Sequence, residues 1–214
     1  MGNKARLFGT LMAVAQLMAC EGMDPVAPSD QGSAVNPAAA PVIVTVAPIF
    51  EFPPGSGSGV SGEATLTRTS EGLWLDQDLA GLIPGNAYTV WWVIFDNPQG
   101  CDADCDPSDL SRRQAQPSLV NGGGFVAGGT TQFYSSHLAR HDVEGRQVQL
   151  GDPSGVDNTY GAQVHVVLRS HGTAVMDPAD QAEQTSTFNG FCNPVCANVS
   201  AAVFLTPEAP GQGS

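Results

Sequence analysis

The chain predicts an all-β fold, an antiparallel β-sandwich, on three observations. Apolar residues alternate in one short segment after another, no stretch of useful length carries a helical period, and 25 Gly and 16 Pro break the segments at turns. Residues 42–52 are rich in Val, Ile and Phe, and 62–68 alternate before a turn around Ser70, Glu71 and Gly72. Leu73, Leu75 and Leu79 then share one parity while Trp74, Asp76 and Asp78 share the other, which describes a strand with one dry face. Residues 87–95, Ala-Tyr-Thr-Val-Trp-Trp-Val-Ile-Phe, are apolar on both parities. They predict a central strand covered on both faces, or one covered on a single face with aromatic residues on the other. Segments 117–127 and 130–138 predict a hairpin that turns at Gly128-Gly129. Segments 146–150, 162–170 and 199–205 complete the strands, and only 136–143 and 178–183 have room for a helical turn or two.

Length and charge bound the function. Without an export segment and a tail at each end, about 165 residues remain, enough for one domain with its own core. Removing Lys4 and Arg6 leaves six Arg against 21 acidic side chains, a mature charge of −15 with no lysine. Cationic contacts supply most of the affinity for phosphate backbones and anionic headgroups, so nucleic-acid binding is excluded. The acidity keeps an exposed domain soluble.

The amino terminus carries an address. Lys4 and Arg6 precede the 13 residues from Leu7 to Ala19, which end in small residues, the layout of a secretory signal. The run is too short for a bilayer-spanning helix, which takes about 20 apolar residues. Leu17-Met18-Ala19-Cys20 resembles the lipobox of bacterial lipoproteins. That resemblance implies cleavage before Cys20, a diacylglyceryl group on its thiol, palmitate-type acylation, and a membrane partner reached through the lipid. Glu21, in place of the Asp that retains Gram-negative lipoproteins at the inner membrane, implies the outer membrane. The expected organisation is a signal peptide at 1–19, a Pro- and Ala-rich tether at 20–41, a β domain at 42–206 and a loose tail at 207–214. A flexible tether of that length puts its ends on the order of 25 Å apart, so the domain stands off the membrane.

Two further resemblances concern the domain. Leu82-Ile83-Pro84-Gly85-Asn86-Ala87-Tyr88-Thr89-Val90 resembles the corner before the F strand of fibronectin type III and immunoglobulin-like domains. In that corner Pro-Gly sets the turn and the Tyr hydroxyl bonds back to upstream backbone. Within the expected β domain 118 residues follow Tyr88 (206 minus 88), so the resemblance implies the sandwich architecture with a different topology. More broadly, residues 62–204 resemble a family of exported bacterial proteins of no assigned activity. The carriers are the 88–95 strand with its Trp-Trp pair, Asn97-Pro98 before a Cys pair, Arg169-Ser170-His171-Gly172, and Phe188-Asn189-Gly190 before a second Cys pair. This resemblance implies export and a β fold, and it transfers no catalytic residue.

Candidate chemistry is sparse. With Cys20 lipidated, Cys101, Cys105, Cys192 and Cys196 remain to pair, and an exported chain oxidises its thiols. The equal Cys-x3-Cys spacing leaves local and crossed pairing both open, all the more if the strands beside the two loops are antiparallel neighbours that bring the four thiols to one edge. Local pairs, Cys101 with Cys105 and Cys192 with Cys196, are the expectation. Asp102, Asp104, Asp106 and Asp109 resemble the start of a calcium loop, yet Pro107 stands where an EF-hand needs Gly and Arg113 where it needs the bidentate Glu. His137, His165 and His171 are candidate transition-metal ligands. Along one straight strand His165 and His171 lie about 20 Å apart, so a site requires one of them to meet His137 across strands. His137 and His141 face together only on a helical turn. No Gly-x-Ser-x-Gly elbow occurs, and Gly122-Gly123-Gly124, without the helix and Lys of a phosphate loop, is read as a turn. Tyr88, Trp74, Trp91 and Trp92 are core residues by the plainer reading and an aromatic ligand platform by the other. The sequence therefore predicts a lipid-anchored envelope module, structural or binding a protein or glycan, with no enzyme signature and no required cofactor. Its alternatives are a calcium or copper/zinc protein and a His-dependent enzyme.

Overall fold

A computed structural model describes residues 40–143, 145–151 and 155–207. The signal segment, Cys20, most of the tether and the end of the tail lie outside the described residues. Among the described residues nine antiparallel strands form one sheet in the order β6-β3-β2-β1-β9-β8-β4-β5-β7. They are β1 (Ile43–Glu51), β2 (Ser61–Arg68), β3 (Gly72–Ala80), β4 (Asn86–Phe95), β5 (Pro117–Val126), β6 (Thr131–Ala139), β7 (Val148–Leu150), β8 (Gln163–Thr173) and β9 (Ala197–Phe204). Among the described residues one α-helix, α1 (Pro178–Gln184), is capped by Asp177, whose carboxylate accepts from the amides of Ala179 and Asp180. The other segment with room for a helix stays extended, because β6 runs to Ala139.

The sheet is continuous where two separate sheets were expected. β1 joins its halves, since Ile43–Ile49 pair with β2 while Phe50 and Glu51 pair with β9. Pro48, which has no N–H to offer a ladder, sits just before the change of partner. The sheet curls into a half-barrel, so inward residues of both halves share one core: Leu66, Leu73, Leu75 and Leu138 meet Val90, Trp92, Ile94, Val164 and Val166. Each fully buried Leu, Ile or Val contributes about 1.5–3 kcal/mol relative to exposure.

Among the described strands the chain passes between the halves from β3 to β4, from β5 to β6 and from β6 to β7, and the first two passages lie side by side at one corner. Segments 117–127 and 130–138 do not form a hairpin: β5 pairs with β4 and β7, and β6 pairs with β3. Gly128-Gly129 instead carries the chain across the core, beside the β3-to-β4 crossing. Leu82 N donates to Thr130 O, and Gly85 N donates to Ala127 O, which ties the crossings together. Tyr88 locks the corner through a bond between its hydroxyl and upstream backbone. Its hydroxyl oxygen accepts from Ile83 N at 3.0 Å. Gly122-Gly123-Gly124 lies within β5 and not in a turn. A Cβ on Gly122 would come within 2.9 Å of Trp92 Nε1, and one on Gly124 would meet the Thr185 and Tyr88 carbonyl oxygens at 2.3 and 2.4 Å.

β4 is covered on both faces. Trp92 points into the half-barrel, where its Nε1 donates to Ser136 Oγ. Trp91, Val93 and Phe95 point outward into a second apolar cluster with Cys105, Ala115 and Leu119. That outer layer comes from two loops, residues 96–116 and 185–196, each closed by its own disulfide: Cys101 with Cys105, and Cys192 with Cys196. The four sulfurs do not share one edge. β4 and β9 both flank β8 antiparallel to it, so they run parallel to each other. One pair therefore follows β4 at one end of the sheet, and the other precedes β9 at the opposite end.

Candidate functional site

Between the two disulfide-closed loops, on the outer face of β4, β8 and β9, lies a cleft of about 450 Å³. Its floor is mostly apolar: Trp91 and Val93 from β4, Leu119 from β5, Val167 from β8, and Ala201 and Val203 from β9. Cys105, Pro107 and Leu110 form one wall, Phe188 and Asn198 the other, and Phe50 and Phe52 close an end. Phe188 is fixed by Arg169, whose guanidinium lies 4.2 Å over the ring while Nε donates to the Phe188 carbonyl at 2.7 Å. The remaining Arg169 nitrogens donate to Asn198 Oδ1 and Asn189 Oδ1, and Phe188 meets Trp91 edge to face.

His165 lines this cleft, and Gln163 sets its tautomer. The Gln163 amide is oriented by two bonds to Cys105, since Oε1 accepts from Cys105 N at 3.0 Å and Nε2 donates to Cys105 O at 2.9 Å. Its second amide hydrogen then points at His165 Nε2, 2.8 Å away, so that nitrogen accepts and Nδ1 carries the proton. Burial pushes the His165 pKa down to about 4, against the opposing pull of Asp106, the Cys105 backbone and Asp104. The ring is neutral at pH 7 and packs edge-on against Phe95. Its bonded partner is an amide, and among the described residues no carboxylate is hydrogen-bonded to it.

The acidic loop folds on itself. Asp106 caps a 3-10 turn at Pro107–Ser111 by accepting from Ser108 N and Oγ, and Asp109 completes a capping box by accepting from Asp106 N at 2.9 Å. Those Ser108 bonds hold the Asp106 carboxyl below its ordinary pKa. Asp102 and Asp109 both engage Arg112, Asp102 through a two-point pair. Three of the four carboxylates of the predicted calcium loop thus have protein partners, and Asp104 lies at the cleft.

The histidines do not converge as the transition-metal reading requires. His137 stacks on Trp74 at 4.3 Å across the β3–β6 pair, remote in register from the strands of the cleft. His141 pairs with Asp157 at 2.9 Å, with both side chains more than half exposed. His171 is fully buried at the other end of β8. Its Nδ1 donates to Gly190 O at 2.9 Å, and its Nε2 accepts from Thr89 Oγ1 at 2.8 Å. Thr89 Oγ1 in turn accepts from Trp91 Nε1. His171 meets the second cysteine pair instead of another histidine, with Cys196 Sγ 3.2 Å from Nδ1. One ligand atom each from His171, Cys192 and Cys196 lies within 4.8 Å of the others, although the two sulfurs are bonded to each other.

Comparison of this chain with models of protein families, with characterised proteins and with solved structures finds no match. The cleft itself was only half visible in the sequence. Parity marks Val167 and His165 as outward, and Phe188 stands in a recognisable tripeptide. Nothing local shows that residues 96–116 and 185–196 fold back over β4, or that Gln163 orients His165.

Proposed function

We propose that this chain is a lipid-anchored protein of the bacterial envelope, built on a sandwich-like β scaffold with immunoglobulin-type architecture, that binds a small apolar ligand. The carrying observation is the cleft. It falls in the size range of small-molecule sites, is apolar across its floor, and places a few polar groups at its edge: His165, Asn198, Asp104 and Asp106. The two carboxylates beside an already acidic body disfavour anions, so the ligand is neutral or cationic. Both walls are braced independently of the ladder, one by Cys101–Cys105 and the other by the Arg169 clamp, which suits a preformed site.

A neutral solvatochromic dye such as Nile red tests this reading. Wild-type domain is expected to bind it with a blue-shifted emission and to quench Trp91 fluorescence. A Val203→Trp variant, which fills the cleft, is expected to lose most of that binding. Equal dye binding by both proteins removes the cleft from consideration. The address is checked separately by fractionation. Cys20→Ala is expected to move the protein from the detergent phase to the aqueous phase, and a variant that stays in the membrane fraction rejects the anchor.

A further inference from the structure

We infer that the Cys192–Cys196 disulfide and His171 form a latent, redox-gated site for a thiophilic cation, Cu(I), which opens when the disulfide is reduced. The inference stands apart from the apolar cleft, whose lining includes none of these three residues. Three observations carry it. The two sulfurs and one imidazole nitrogen already sit within 4.8 Å of one another, and Cys196 Sγ is 3.2 Å from His171 Nδ1. His171 is held in place from behind through Thr89 Oγ1 and, beyond it, Trp91 Nε1, the outer support that a metal-binding histidine uses. The loop is also accessible: Phe191 and Val195, beside the two cysteines, are 39% and 67% exposed. By contrast, among the described residues no histidine joins Cys101 and Cys105 in a group of this kind.

The donor set selects the ion. Two thiolates and one imidazole are soft ligands, and three donors suit a trigonal Cu(I), whereas a structural zinc site takes four. The group includes no carboxylate, which disfavours calcium.

The chemistry balances with a dithiol as reductant. The dithiol supplies two electrons and two protons and closes its own disulfide, while the Cys192–Cys196 bond breaks into two thiols. Cu(I) then displaces both thiol protons to solvent as two S–Cu bonds form. His171 exchanges tautomer: Nδ1 releases its proton, leaves the Gly190 carbonyl and binds the ion, while Nε2 takes up a proton and donates to Thr89 Oγ1. That oxygen already accepts from Trp91 Nε1, so the Thr89 hydroxyl proton turns away.

The test uses full mature protein with Cys101→Ser and Cys105→Ser, so that only the second pair can respond, titrated with Cu(I) against a cuprous chelator. After dithiol reduction this protein is expected to retain one equivalent of Cu(I), and in its oxidised form none. Cys192→Ser/Cys196→Ser is expected to retain none in either state. His171→Asn keeps an amide donor for the Gly190 carbonyl while removing the ligand, and its fold is checked by near-ultraviolet circular dichroism. It is expected to weaken Cu(I) by more than the roughly 10-fold cost of losing even an outer-shell partner. Reduced protein that holds no more copper than oxidised protein overturns the inference. Retention undiminished in folded His171→Asn overturns the role of the histidine and with it the three-donor site.

Discussion

Acidification from pH 7 to pH 4 is expected to cost the folded domain about 3 kcal/mol through His165 alone. The unfolded residue titrates at 6.5, and burial under the 96–116 loop lowers the folded value to about 4. Between those values the unfolded chain binds more protons than the folded one, so stability is complete above 6.5 and falls as pH drops towards 4. A difference of that size corresponds to about 1.36 kcal/mol per unit, and to roughly 6–12 °C in Tm for a domain of this length. His171 and His137 are lowered in the same direction, each mainly by burial, and add to the slope. Asp96 opposes it, since burial raises its carboxyl and makes the folded state take up that proton first. Denaturant midpoints of wild type and His165→Leu at pH 7 and pH 4 provide the check. The variant should lose most of the acid slope, and identical slopes in the two proteins would assign the acid sensitivity elsewhere.

That prediction depends on a burial the sequence could not display, and the contrast between fold and site has a physical basis. Strand periodicity is a local property, because each Cβ alternates with its neighbours. Thus Val164, Val166 and Leu168 are separable from His165 and Val167 by parity alone, and the structure places the first three in the half-barrel core. The all-β class, the strand positions and the local disulfides were legible for the same reason. Partner choice is not local. The Gly128-Gly129 segment has the composition of a hairpin turn, yet it crosses between sheet halves because β4 already offers β5 a complete ladder. Likewise, His171 and Cys196 are 25 residues apart, and they meet because β8 and β9 are neighbours with Ser170 opposite Ala197. Asp102, Asp104, Asp106 and Asp109 show the same limit of local reading. Carboxylates at this spacing can wrap a cation or cap a turn, and only the positions of Ser108 and Arg112 decide between the two.

Replacing Arg68 by Met is expected to stabilise the domain by about 1.5 kcal/mol, even though it removes a hydrogen bond. Arg68 ends β2 on the inward parity that it shares with Ala64 and Leu66, and it is fully buried. Its Nη1 donates to Thr159 O at 2.9 Å, while Nε and Nη2 have no partner among the described residues. No carboxylate among the described residues faces it, and burial lowers its pKa to about 10, which shows how poorly the site tolerates the charge. Buried ionic groups exchanged for apolar side chains of similar volume have given gains of about 1–4 kcal/mol. Met fills the same elongated space with an adaptable chain. Against this stands the Thr159 carbonyl, which loses its donor at a cost of about 1–3 kcal/mol. Its turn keeps independent support, because Asp96 Oδ1 accepts from the amides of Asp157 and Asn158. Desolvation therefore wins, and Tm should rise by roughly 3–6 °C. Arg68→Ala separates the two contributions, since it relieves the same charge but leaves a cavity and should end below wild type. Should Arg68→Met instead unfold at a lower temperature than wild type, the guanidinium would have to be engaging groups beyond Thr159, and an anion held in the core becomes the next measurement.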